Sequence, residues 1–283
     1  MILVTGAGGF VGSHLVKDLV KRKKNVVCLV RNSPSFRGAK ILRGDITDKP
    51  SLIKATRNVS AVVHLATAPA SSNYEEMYRV NVIGARNLIE ACVQNKVKRV
   101  IVASSVATFG KSDYGKTKSI ADDLFRESCL DVTILKPDFI YGKGCKGFET
   151  IVSAIKKLPA IPVIGSGNNR RQPIHVDDVV KAISNCLENK KTIGKTYLLA
   201  GKDSMKFNDM LDSIMKAAGK RKVKVHIPVP VALAASYVLK GKMSLTKTAI
   251  LGISQDRVLD VSPMMKELGV TPISFEEGLK KSL

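Results

Sequence analysis

Thr5-Gly6-Ala7-Gly8-Gly9-Phe10-Val11-Gly12 is the stretch that decides how this chain folds. It follows the apolar run Met1-Ile2-Leu3-Val4 and leads into residues 10–20, where Val11, Leu15, Leu19 and Val20 recur at helical spacing. Gly6, Gly9 and Gly12 therefore stand at GxxGxxG spacing on a turn between a strand and a helix. Glycine at such a turn lets the backbone come close to an anion, and the helix that follows aims its first N–H groups and positive dipole end at the same point. In that strand-to-helix context the turn is suited to the pyrophosphate of a dinucleotide.

Outward from the turn, apolar runs at 26–30, 39–42, 61–65, 100–103 and 132–135 alternate with helical stretches near 51–56, 74–94 and 114–129. Strands apolar on both faces that alternate with helices belong to a parallel sheet covered on both sides. The fold class is α/β, a Rossmann-type doubly wound parallel sheet whose ligands bind at the carboxyl ends of the strands. Between Gly142 and Pro173 the pattern loosens and Gly, Pro and Asn accumulate. A helix at 176–187, a strand at 196–199 and helices at 207–218, 229–239 and 263–268 follow. The expected division is a nucleotide-binding domain of 1–142 and 174–203 and a smaller, mostly helical substrate-binding lobe of 143–173 and 204–283.

The 283 residues carry 46 Lys+Arg against 24 Asp+Glu, a net charge of +22, while a 45% hydrophobic fraction rules out disorder. The basic clusters Lys21-Arg22-Lys23-Lys24 and Lys220-Arg221-Lys222 are not interleaved with aromatic residues. They read as solvated surface without specificity for nucleic acid, in a field that favours anionic small molecules. Five cysteines, at 28, 92, 129, 145 and 186, form no CxxC pair and lie near no histidine cluster, which points to reduced thiols and no metal site. The chain enters directly on a strand-like run with no charged leader. Its longest apolar stretch, 227–239, holds two prolines and falls short of the ~20 residues a bilayer span needs. A cytoplasmic protein without a membrane span is expected, and Pro228-Val229-Pro230-Val231-Ala232-Leu233-Ala234-Ala235 reads as a packed helix of the second lobe.

The second strand ends Leu29-Val30-Arg31-Asn32, with no acidic residue to bond ribose hydroxyls. Arg31 suits a 2′-phosphate, so NADP is favoured over NAD. Gly44-Asp45-Ile46-Thr47-Asp48 follows the third strand. Asp45 there can accept from an adenine amino group, and Asp48 fits a helix cap. Tyr114-Gly115-Lys116-Thr117-Lys118 gives YxxxK, and the i,i+4 spacing puts phenol and ammonium on one helical face. A phenol titrates near ~10, so a neighbouring ammonium that favours phenolate makes it a usable base. Upstream, at the end of the fifth strand, Ala103-Ser104-Ser105-Val106-Ala107-Thr108-Phe109-Gly110 places serine hydroxyls where they can bond a substrate oxygen.

Glycine turn, serine turn and YxxxK, in this order, resemble the extended short-chain dehydrogenase/reductase family, the NAD-dependent epimerase/dehydratase group. The resemblance extends over His64-Leu65-Ala66, over Asn81 in Tyr78-Arg79-Val80-Asn81-Val82-Ile83-Gly84, over Lys136-Pro137-Asp138-Phe139-Ile140-Tyr141-Gly142 and over Arg171-Gln172-Pro173-Ile174-His175-Val176-Asp177-Asp178. It implies Tyr114 as acid/base, Lys118 on the nicotinamide ribose, Ser105 on the substrate oxygen and Arg171 on a substrate diphosphate. The implied cofactor contacts are Gly6, Gly8, Gly9, Phe10, Val11, Gly12, Arg31, Asn32, Asp45, Ile46, Leu65, Ala66, Thr67, Asn81, Tyr114, Lys118, Pro137 and Ile140. Asn81 would support the active site, and His64 and His175 would be structural. A homodimer through the helices at 74–94 and 114–129 is also implied. Lys136 replaces the usual arginine, and Phe139 stands where many sugar-nucleotide members carry an asparagine. With the short Ser105-to-Tyr114 gap, these lean toward a compact branch resembling the NADPH-binding accessory subunit of respiratory complex I. The expected activity is that of a sugar-nucleotide epimerase or dehydratase. The alternatives are an NADPH-dependent carbonyl reductase and a non-catalytic NADP-binding subunit or sensor.

Overall fold

A computed structural model describes residues 1–32, 36–238, 250 and 256–283, which form two compact units. The first comprises Met1–Pro137, Val176–Leu199 and Ser262–Val270. Its core is a seven-stranded sheet in the order β11 (Thr196–Leu199), β6 (Asp131–Pro137), β5 (Arg99–Ala103), β4 (Ala61–His64), β1 (Ile2–Thr5), β2 (Val26–Val30) and β3 (Lys40–Arg43). All six pairings are parallel. The continuous apolar runs are explained by burial: every residue of β2 and β4 is buried. Strand order reverses between β1 and β4, where Thr5 lies in register with His64. That reversal opens the crevice such sheets use for ligands.

The helices of this unit are α1 (Phe10–Lys21), α2 (Lys49–Ala55), α3 (Tyr74–Tyr78), α4 (Gly84–Gln94), α5 (Asp113–Glu127) and α7 (Val176–Glu188), with Ser262–Leu268 near the end of the chain. Leu15 and Leu19 of α1, Leu88 of α4 and Phe125 of α5 bury the apolar stripes that the spacing predicts. The stretch 74–94, expected as one helix, is broken by a π-helical turn over Arg79–Ile83. The widened turn holds Asn81 buried, with its amide committed to three partners described below. The segment Ser262–Val270, read from sequence as part of the second lobe, packs in the first unit. Met264 and Leu268 are buried there, the Asn185 amide donates to Leu268 O at 2.7 Å, and the Tyr197 hydroxyl meets Glu267 at 2.6 Å.

The second unit comprises Asp138–His175, Ala200–Val261 and Thr271–Leu283. Helices α6 (Lys146–Lys157), α8 (Phe207–Ala217), α9 (Val229–Val238) and the final Phe275–Ser282 accompany three two-stranded sheets. The pairs are β7 (Ile140–Tyr141) with β10 (Ile174–His175), β8 (Ala160–Ile164) with β13 (Val223–Ile227), and β9 (Arg170–Arg171) with β12 (Met205–Lys206). Its core gathers Tyr141, Phe148, Ile155, Val163, Leu211 and Ile214. The interval 143–173 is more regular than its glycines suggest. Phe148, Val152 and Ile155 give α6 a buried face at helical spacing, and β8 follows it. Leu239, expected to end the helix at 229–239, lies outside the described residues.

Candidate active site

The turn after β1 is shaped by close backbone approach. Gly6 has φ +68°, and a Cβ there would stand 2.6 Å from Ala66 N. A Cβ on Gly12 would stand 2.2 Å from Gly6 O. No side chain caps α1 at its N-cap Gly9, and its first turn carries no acidic residue. The first N–H groups of the helix are thus left for an anion, and the cradle fits a dinucleotide pyrophosphate. Across the strand reversal, Leu65 N donates to Thr5 O at 3.1 Å and Ala66 N to Thr5 Oγ1 at 3.4 Å. Thr5 Oγ1 also shares a 2.8 Å bond with His64 Nδ1. Burial, with the Lys118 ammonium adding to it, lowers the His64 pKa to about 3, so the imidazole is neutral.

Arg31 follows the end of β2 with an exposed side chain, its Nε 3.9 Å from Asp45 Oδ2. Asn32 is also exposed. Asp45 Oδ1 accepts from Thr47 N at 2.8 Å and from the Thr47 hydroxyl at 2.7 Å. Burial works to raise the Asp45 pKa, but the Thr47 bonds with Arg31 and Arg79 outweigh it, and the net shift is downward. Asp48 occupies the N-cap position of α2, as expected, yet makes no side-chain cap bond. Ile46 is buried where Gly84 of α4 approaches it.

The serine turn follows β5 as a short 3-10 segment over Val106–Phe109, capped by Ser105, whose hydroxyl accepts from Ala107 N at 3.1 Å. The two adjacent serines diverge. Ser104 is buried and donates to Asp122 Oδ2 at 2.8 Å, whereas Ser105 stays half-buried. Helix α5 comes directly against this turn, because Gly115 has no side chain to hold it off: a Cβ there would lie 2.1 Å from Ala107 O. The turn carrying Ser105 and the helix carrying Tyr114 and Lys118 are thereby brought together.

Lys118 is buried, and its ammonium donates to Ala103 O at 2.8 Å. Burial lowers its pKa to about 8; Asp122 opposes that shift and Lys136 adds to it. The Tyr114 phenol lies close to Thr67. Burial raises its pKa, Thr67 opposes this and Asp122 adds to it. The YxxxK spacing alone predicts that the Lys118 ammonium favours phenolate. In the protein alone desolvation is the larger effect, and Tyr114 holds its proton.

Asn81 ties these parts together. Its Oδ1 accepts from the Thr67 hydroxyl at 2.9 Å and from Ala68 N at 3.0 Å, and its Nδ2 donates to Thr117 Oγ1 at 3.0 Å. Asp122 and Lys136 were not singled out together by sequence reasoning. Their ion pair, 3.0 Å and almost fully buried, underlies the serine turn, and Lys136 Nζ also donates to Thr108 Oγ1 at 2.8 Å. The available signal was that Asp122 stands four residues after Lys118, on the same helical face.

Pro137 ends β6 of the first unit, and Ile140 begins β7 of the second. Phe139 packs partly buried against the apolar core of the second unit. Arg171 is buried within that unit, where burial lowers its pKa, Asp138 and Asp256 oppose this and Arg257 adds to it. His175 is buried, its ring edge-on to Tyr141 at 5.3 Å.

The sequence model of the NAD dependent epimerase/dehydratase family matches residues 2–200. The chain belongs to this family. A UDP-glucose 4-epimerase of Vibrio cholerae is 26% identical over 312 residues, spanning 99% of this chain and 94% of the relative. A 2-alkyl-3-oxoalkanoate reductase of Stenotrophomonas maltophilia is 24% identical over 321 residues, spanning 99% and 97%. The solved structure of MoeE5 in complex with UDP-glucuronic acid and NAD superposes with a TM-score of 0.84 at 27% identity, over 99% of this chain and 97% of that one. This chain is an enzyme of the short-chain dehydrogenase/reductase type. Among its described residues, no helix is long and apolar enough to cross a membrane, and no cluster of His, Cys, Asp and Glu could hold a metal ion.

Proposed function

We propose that this enzyme is a sugar-nucleotide epimerase or dehydratase that uses NADP or NAD, with Ser105, Tyr114 and Lys118 at the reacting alcohol. The observation that supports it best is the contact of α5 with the serine turn at Gly115, which brings the elements bearing these side chains together. The nicotinamide cofactor supplies hydride transfer when bound. Tyr114 takes the proton of the sugar hydroxyl as the alcohol is oxidised and returns it on reduction. Ser105 donates to the same oxygen. Lys118, anchored on the Ala103 carbonyl, holds a cationic donor beside the ribose, and the positive nicotinamide of the bound cofactor would offset the desolvation that keeps Tyr114 protonated in the protein alone.

The pyrophosphate is assigned to Gly6, Gly8, Gly9, Phe10, Val11 and Gly12, and the nucleoside side to Arg31, Asn32, Asp45 and Ile46. Leu65, Ala66, Thr67, Asn81, Pro137 and Ile140 complete the assigned cofactor contacts. NADP is preferred because, among the described residues, the exposed Arg31 side chain pairs only with Asp45, over a long 3.9 Å, and a 2′-phosphate can replace that contact at small cost. Arg171 is assigned to the substrate diphosphate. A homodimer through the outer faces of α3, α4 and α5 belongs to the same reading, and Tyr74 and Ile120 are exposed there.

The test is a panel of nucleoside-diphosphate sugars, assayed for turnover and for binding. Turnover with Tyr114→Phe reduced by about 10²–10⁴-fold is expected. Failure of every sugar nucleotide to bind or react rejects the substrate class. Equal activity of wild type and Tyr114→Phe favours a non-catalytic nucleotide-binding subunit instead. A second reading, an NADPH-dependent reductase of a ketone or aldehyde without a nucleotide handle, is favoured by Phe139, which offers a ring packed on apolar core in place of a polar amide. Stoichiometric consumption of NADPH distinguishes it, since an epimerase shows no net cofactor turnover.

A further inference from the structure

The stretch from Ser213 to Gln255 contains no Asp or Glu, in a chain that has 24 of them, and it carries eight Lys and Arg residues. Its described part includes the end of α8, then Lys220-Arg221-Lys222, β13 and α9. Both β13 and α9 expose apolar side chains to an unusual degree. Val223 is 71% exposed, Val225 50% and Val231 56%, and Pro228, Pro230 and Ala234 are exposed beside them.

Alternation along the strand puts Val223, Val225 and Ile227 on one face. Ile227 packs against the small cluster beneath α9, formed by Ile164, Ala232 and Ile250. The exposed valines are therefore continuous with the apolar helix at one end and with the basic cluster at the other. Among the described residues, β13 pairs only with β8, so its second edge has no strand beside it. Within this surface the one ion pair among described residues is Lys224 with Asp212, at 2.7 Å. Among its described side chains, α9 packs Val229, Ala232 and Leu233 on this cluster and presents Val231 outward.

We propose that this edge of the second unit docks on a lipid bilayer carrying anionic headgroups, with Val223, Val225 and Val231 entering the interface and Lys220, Arg221 and Lys222 meeting the headgroups. Interfacial binding combines buried apolar area with attraction to anionic lipid, and this surface supplies both within a dozen residues. Nucleic acid would satisfy the basic residues but would leave the three valines without a role, and no Phe, Tyr or Trp lies between them for a base to stack on. The proposal is independent of the reaction assigned above.

The test is co-sedimentation of the full chain with vesicles of phosphatidylcholine alone, or with about one quarter phosphatidylglycerol. Binding to the anionic vesicles only is expected, weakening with salt. Each basic residue near an anionic surface contributes about fivefold, so Lys220→Ala/Arg221→Ala/Lys222→Ala lowers binding on the order of a hundredfold. Val223→Ser/Val225→Ser is also expected to lower it at least about fivefold. Lys21→Ala/Lys23→Ala, which removes charge from the other basic cluster, leaves it unchanged. All these side chains are on the surface, so the melting transition should not move; where it does, Lys222→Ala and Val225→Ser alone carry the comparison. Equal binding to neutral vesicles, no binding, no effect of the valine changes, an equal loss from the Lys21/Lys23 variant, or tighter binding to a DNA duplex than to the anionic vesicles each overturns the proposal.

Discussion

Arg31 decides more than its position on the surface suggests. It stands where an acidic residue would bond ribose hydroxyls, and its contact with Asp45 is 3.9 Å long between side chains that are 74% and 34% exposed. Such a pair contributes little, typically ~0–1 kcal/mol, whereas a charge-assisted bond to a phosphate is about twice as strong as a neutral one. Arg31→Ala is therefore expected to weaken NADP binding about tenfold or more and to leave NAD nearly unchanged, as titration calorimetry with both nucleotides would show. His64 carries a different consequence. Its pKa falls from 6.5 in the unfolded chain to about 3 in the fold, so the unfolded state binds the extra proton between these values. The stability that neutral His64 contributes is present above pH ~6.5 and lost as the pH falls toward ~3, on the order of 5 kcal/mol in all. In urea unfolding across that window, His64→Gln should lose less stability than wild type by roughly this amount. Parallel slopes for the two proteins would contradict it.

At the scale of elements, the contact between α5 and the serine turn is made by backbone. An added Cβ on Gly115 meets the Ala107 carbonyl oxygen at 2.1 Å, and a carbonyl in a capped 3-10 turn cannot swing aside as a long side chain could. Gly115→Ala should push the helix off the turn, lowering kcat on the order of 100-fold and stability by about 1–3 kcal/mol, read by turnover and by urea unfolding. Near-wild-type kcat in this variant would show that the contact is not what aligns the site. The sheet was legible because β1, β2, β4, β5 and β6 are apolar runs at regular spacing, and helices α1 and α5 because their stripes keep a period near 3.6. The π-turn was not legible, since Arg79–Ile83 reads as ordinary helix and its cause is the set of bonds Asn81 makes to residues distant in sequence. The Asp122–Lys136 pair was hidden for the same reason, with partners fourteen residues apart on a helix and a strand. Helix α6 was masked by the glycines around it, although Phe148, Val152 and Ile155 carry the period. At the glycine turn the motif implied close approach, and the structure adds its object, the Gly6 carbonyl and the Ala66 backbone.

For the molecule as a whole, the cysteines divide by environment. Cys28, Cys92 and Cys186 are buried, and desolvation raises their thiols to about 11, 12 and 12. Cys145 is partly covered, also with a raised pKa led by burial, and Cys129 is exposed. A thiol-specific disulfide reagent should modify Cys129 first on the native protein and reach all five only after unfolding. Rapid native modification of three or more would mean that the sheet opens far more easily than its burial implies. The chain also crosses between its two units five times, and the first is complete only once Ser262–Val270 has joined it. Neither unit corresponds to a continuous stretch of the gene. On the ribosome, β11 must wait for the whole interval from Asp138 to His175 and for α7 before it can pair with β6, and the Ser262–Leu268 helix waits longer still. Synthesis at ~5–20 residues per second holds the β6 edge of the sheet uncovered for several seconds, so nascent chains of this protein should engage chaperones through that edge.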